Sequence, residues 1–180
     1  MSKYREKPIL ITLIVLLVLG ILLPQIFYAA THVDENEVIA YAAAFAVFDG
    51  SETKSKKAWL KKAEHYLKWK KVCGANTPLT YGIDTIYGAK ELPAIYGSIE
   101  ELRNGIEESL VFLGDYDQMM EGKDKPETEG YTTEDFYKLL NARISAETAV
   151  LEALNNDPAP DLYTYSKAIY KARKVNPIIY

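Results

Sequence analysis

From Pro8 to Ala30 the chain carries no charged residue, and ILITLIVLLVLGILL fills the stretch up to Pro24. At about 1.5 Å per residue a helix over residues 8–30 would be roughly 35 Å long, enough to cross a hydrocarbon core of about 30 Å with some tilt. Lys3, Arg5 and Lys7 precede the stretch, and Asp34, Glu35 and Glu37 follow it. Because Lys and Arg favour the cytoplasmic side, the expected arrangement is a cytoplasmic N-terminus over residues 1–7, a transmembrane signal-anchor over 8–30 and an extracytoplasmic helical domain over 31–180. A cleaved secretory signal has a shorter apolar core and a small-x-small site. Here the apolar run reaches Leu23 and resumes at Ile26, and bulky Tyr28 stands where a cleavage site after Ala30 wants a small residue. The expectation is therefore a retained, single-pass anchor in contact with the bilayer.

Beyond the anchor the apolar positions recur at three and four, the period of helices. Asp34 and Glu37 open a first outer helix that ends before Gly50, with Val38, Ala42, Phe45 and Val47 on its apolar side. A second, from about Ser55 to Val72, carries Trp59, Ala63, Tyr66 and Leu67 on one face and Lys57, Lys61, Lys68 and Lys71 on the other. That lysine face has two readings, a basic helix lying on an anionic lipid surface with Trp59 and Trp69 at the boundary, or a solvated face opposite an acidic helix. The second is expected, because lysine stems cover apolar surface while their heads stay wet. Ser98 with Glu101 is a capping box, and Ile99, Leu102, Ile106, Leu110 and Leu113 carry its helix towards Gly122, with Glu100, Glu107, Glu108 and Asp115 as the acidic side. A fourth helix starts at Thr132 or Thr133, with Phe136, Leu140, Ile144 and Leu154 as core positions. A fifth runs from near Asp161 to about Lys174.

Between the second and third helices, NTPLTYGIDTIYGAKELPAIYG holds Pro78, Pro93 and the pairs Tyr81-Gly82, Tyr87-Gly88 and Tyr96-Gly97. Leu79, Tyr81, Ile83, Thr85 and Tyr87 alternate as a short strand would, but the prolines and glycines favour a long ordered loop containing one helical turn. Long connections in small domains often carry function. Tyr81, Tyr87 and Tyr96, with Trp59 and Trp69, are therefore the candidate partner contacts. The predicted architecture is all-α: an N-terminal transmembrane helix followed by an irregular four- to five-helix extracytoplasmic bundle with a Tyr/Gly-rich loop. The stretch from Ala146 to Tyr165 has the rhythm of a tetratricopeptide-type turn but no second copy, so a single helical hairpin is the reading.

Composition adds three constraints. Removing Lys3, Arg5, Lys7 and Glu6 reduces 21 basic and 25 acidic residues to 18 and 24, a net charge of −6 for the outer part. A nucleic-acid binder would show a basic surplus instead. Tyrosines number 14 against five phenylalanines, which suits half-buried seams and contact surfaces. Cys73 is the single cysteine, so no disulfide closes within the chain and paired-cysteine metal spacing is absent.

The chemistry legible in the chain is sparse. His32 with Asp34, Glu35 and Glu37 offers ligand types for a divalent metal, but those carboxylates are equally expected at a helix start. No Gly-rich phosphate loop, nucleophile elbow or Glu-x-x-His pair is present. The expectation is a membrane-anchored interaction protein, an accessory or structural subunit with protein partners at the membrane, without catalytic residues, cofactor or metal. The alternative is a surface-anchored ligand- or metal-binding domain.

Overall fold

The structure, a computed structural model, describes residues 32–49, 54–74, 77–90, 92–120 and 132–174, together with Leu17. The anchor over residues 8–30, the polar segment 123–130 and the tail 176–180 lie outside these, Leu17 excepted, which is helical and exposed. Among the described residues no helix is long and apolar enough to cross a membrane.

The described chain is all-helical, with six helices in the order α1 (Glu35–Phe48), α2 (Lys56–Cys73), α3 (Pro78–Tyr87), α4 (Ile99–Met120), α5 (Thr133–Asn156) and α6 (Leu162–Lys174). Each start has a physical cause. The Asp34 side chain accepts the Asn36 and Glu37 N–H groups, and the Ser55 hydroxyl accepts that of Ala58. Thr132 and Asp135 satisfy each other's backbone in a full capping box. At α4 the Glu101 N–H bonds Ser98 Oγ, but the Glu101 carboxylate reaches one residue further back, to the Gly97 N–H at 2.8 Å.

α1 lies between α2 and α6, and α5 joins α6 to α4. This central position explains why α1 is apolar on nearly all sides. Ala40, Ala42, Ala43 and Ala44 are each fully buried, and their small side chains let two helices approach at once. Phe45, Trp59, Tyr66, Leu102, Ile106, Leu154, Ile169 and Tyr170 complete the main core. Burying a large apolar side chain contributes about 1.5–3 kcal/mol, so these residues hold the bundle together. A smaller cluster of Leu113, Phe136 and Leu140 closes the other end of the α4–α5 hairpin.

Two expectations are corrected. Residues 78–87 form a ten-residue helix, α3, where a loop was expected, so the described bundle has six helices instead of four or five. Pro78 occupies its first turn, where a missing N–H costs nothing, and Gly88 takes the left-handed C-cap at φ 69°. The prolines and glycines that read as loop formers are the helix boundaries. Secondly, the lysines of α2 do not face the acidic side of α4, which packs on α5. Lys56, Lys62 and Lys68 pair with Asp161, Asp49 and Glu64, Lys54 just before the helix also pairs with Asp49, and two of these lie over aromatic rings, Lys62 at 4.4 Å from the Phe45 centroid and Lys54 at 4.7 Å from that of Trp59.

Candidate contact surface

α2 and α3 form an antiparallel hairpin. At its closed end the Thr77 hydroxyl donates to the Cys73 carbonyl at 3.0 Å, and Thr80 Oγ1 bonds the Gly74 carbonyl. One α-helical stretch away, the Tyr66 hydroxyl donates to Asp84 Oδ1 at 2.8 Å and the rings of Tyr66 and Tyr87 lie 5.5 Å apart. Burial, reinforced by the bond to Asp84, pushes the Tyr66 phenol well above its ordinary value, so it stays a donor. Tyr41, Phe45, Tyr66 and Tyr87 form a continuous aromatic seam, and Lys70 lies over the rings of Tyr41 and Tyr66. Beside this seam runs a groove of about 560 Å³, lined by Tyr41, Tyr66, Lys70, Tyr81, Asp84 and Lys90 among others.

The five aromatic residues predicted as contacts divide sharply. Trp59 is 2% exposed and belongs to the main core, so it presents no contact surface. Tyr87 is half-buried on Tyr66. Tyr96 is half-buried against the main core, where its hydroxyl accepts Arg173 Nη1 at 2.9 Å. Trp69 is 53% exposed and Tyr81 61%. Of the set, these two remain on the surface.

Sequence reasoning missed two features. The first is a buried ionic centre. Glu147 on α5 is fully buried and accepts Arg143 Nε at 2.8 Å and both Nε and Nη2 of Arg173, while Arg173 also donates to the Gly105 carbonyl. Arg173, nine-tenths buried, is held in its charged state by Glu147 and by Tyr96, against the opposing cost of desolvation. Every partner is satisfied, and the centre ties α4, α5, α6 and the 92–98 segment together. The second feature is a set of exposed apolar side chains. Val72 on α2, Leu79 and Ile86 on α3, and Val111 and Phe112 on α4 are all more than half exposed, and Phe112 stacks on Tyr116 at 6.1 Å.

His32 is exposed, and its carbonyl accepts Lys71 Nζ at 2.7 Å. Among the described residues no three His, Cys, Asp or Glu side chains come together in a way that could hold a metal ion. Comparison with models of known protein families, with curated proteins and with solved structures finds no match to this chain.

Proposed function

We propose that this chain is a single-pass, membrane-anchored interaction subunit, with residues 8–30 in the bilayer, residues 1–7 in the cytoplasm and the helical bundle outside it. Its role is to hold a partner protein at the membrane, as an accessory or structural member of a larger assembly. The observation that supports this best is a bundle with a closed, well-packed core that nevertheless leaves large apolar side chains in the open. On α4 these are Val111 and Phe112, one after the other and braced by Tyr116. Exposed apolar clusters of this kind mark contact sites, because leaving them in water costs free energy that a partner recovers.

The topology is tested by alkaline extraction of membranes combined with protease treatment of intact cells or vesicles. The anchored reading predicts a full-length chain that resists extraction, with its bundle accessible only from the non-cytoplasmic side. Release of the chain by alkaline extraction would contradict it. A second reading, a surface-anchored ligand-binding domain, is favoured by the groove where Lys70, Asp84 and Lys90 converge beside three tyrosines. Ligand-induced thermal shifts that vanish in Asp84→Ala would support that reading over the first.

A further inference from the structure

The groove beside the aromatic seam holds two opposite charges that do not satisfy each other. Lys70 is half-buried, with its ammonium group 5.3 Å from the Tyr66 ring centroid and 5.6 Å from that of Tyr41. Its hydrogen bond to the Tyr41 hydroxyl is long, at 3.4 Å. Lys54, Lys56, Lys62 and Lys68 each pair with a carboxylate, whereas Lys70 forms no ion pair among the described residues. Asp84 lines the same groove, also half-buried, and among the described residues its carboxylate accepts from the Tyr66 hydroxyl alone. Tyr66 therefore stands between the two charges, its ring under Lys70 and its hydroxyl on Asp84.

The walls of the groove are set by the fold. After the left-handed turn at Gly88, the Ala89 N–H bonds back to the Asp84 carbonyl at 2.7 Å, and the Leu92 N–H bonds the Ala89 carbonyl at 3.3 Å. Leu92 and Ile95 then pack against the main core and, with Pro93, give the groove an apolar side. A volume of about 560 Å³, apolar walls and a few placed polar groups are the features of a small-molecule site. Asp84 lies in the last turn of α3, where the free carbonyl end of the helix adds to its preference for a cation. Lys90, the third charge of the lining, is exposed and screened by water. Resting on the ligand-binding reading above, we propose that this groove binds a small zwitterion of the α-amino-acid class. Its carboxylate meets Lys70, its ammonium group meets Asp84, and its side chain lies against Leu92, Pro93 and Ile95. A molecule with both charges a few bonds apart satisfies the two poles at once. A dianion such as inorganic phosphate would be repelled by Asp84, and a simple cation by Lys70.

The test is saturation-transfer NMR on the detergent-solubilised full chain, with pools of the common amino acids at up to about 10 mM, followed by titration of any binder beside its N-acetyl and amide derivatives. The expected result is that at least one amino acid binds and that blocking either of its charges weakens binding about tenfold or more. Lys70→Met should erase the preference for the free acid over the amide, and Asp84→Asn the preference for the free amine over the N-acetyl form. Each variant should leave the other preference standing, a selective loss that unfolding cannot imitate. No binding from any pool overturns the proposal. If Asp84→Ala nevertheless removes a thermal shift given by some other molecule, the ligand-binding reading survives and only this ligand class is excluded. Binding that tolerates N-acetylation or amidation makes the groove a simple anion or cation site and overturns the proposal. Preferences unchanged in both variants place the ligand elsewhere and overturn it as well.

Discussion

The ring of Tyr96 lies directly over Gly105 of α4, so closely that a Cβ at position 105 would overlap the ring carbons and hydroxyl. The same hydroxyl accepts from Arg173, whose guanidinium also bonds the Gly105 carbonyl at 3.1 Å. A glycine inside a helix costs about 1 kcal/mol relative to alanine, and here that cost is offset by seating an aromatic ring on the bare backbone. Gly105→Ala is therefore expected to destabilise the bundle by about 1–3 kcal/mol despite the better helix former, because Tyr96 must leave its place. In a Tyr96→Ala background the same substitution becomes neutral or stabilising. Urea unfolding of the four members of that cycle measures the coupling.

The buried Glu147 and Arg173 make a second prediction. Glu147→Ala leaves Arg173 charged and desolvated, an expected loss of about 3–5 kcal/mol. Replacing the triad together, as Arg143→Met and Arg173→Met with Glu147→Leu, recovers most of that loss, since apolar side chains of similar volume carry no desolvation penalty. Equal destabilisation in the single and triple variants would contradict the ionic account.

Asp161 caps α6 by accepting the Thr164 N–H at 2.9 Å and the Thr164 hydroxyl, with Lys56 at 3.5 Å. The bonds from Thr164, followed by the charge of Lys56, hold its carboxyl below the ordinary 3.8. Since the folded value is the lower one, the stabilisation is complete above about pH 4 and fades as pH falls through the depressed value. Asp161→Ala is expected to cost about 1 kcal/mol at neutral pH, mostly through the cap, because the half-exposed ion pair with Lys56 is screened by solvent. Melting curves across pH 2–7 should show the gap between variant and wild type narrowing at the acid end. A gap that widens there contradicts the assignment.

The helices with caps and a clear stripe could be read from residues alone. Asp34, Ser55, Ser98 and Thr132 stand at the starts that the spacing predicts. α3 was not legible, because Pro78 and Gly88 signal a break equally well from inside or from the edge of a helix, and ten residues hold too few apolar positions to decide by period. Glu147 looked like any helical surface acid. Its burial follows from α5 meeting α4 and α6 at once, a tertiary fact without a local signature. Gly105 alone was a weak hint, because α4 also holds Gly114, beside which a Cβ would meet nothing within 4 Å. Trp59 and Trp69 are ten positions apart on one helix, about 80° apart around its axis, so Trp59 falls on the apolar face and Trp69 beside it, 2% and 53% exposed.

Val111 and Phe112 are predicted to matter for assembly and not for folding. Changing both to Lys on an exposed face should shift stability by no more than about 0.5 kcal/mol per site. A large loss of thermal stability in this double variant would reassign the pair to the core. A stable variant that no longer retains a partner would place the contact on α4.

The most direct measurement is crosslinking in intact membranes, followed by gentle solubilisation and mass spectrometry of the chains that co-purify. An interaction subunit predicts a reproducible, stoichiometric partner, recovered with the wild type and depleted by the Val111→Lys, Phe112→Lys variant. Recovery of the chain alone and monomeric, from membranes in which it is properly inserted, would contradict that role.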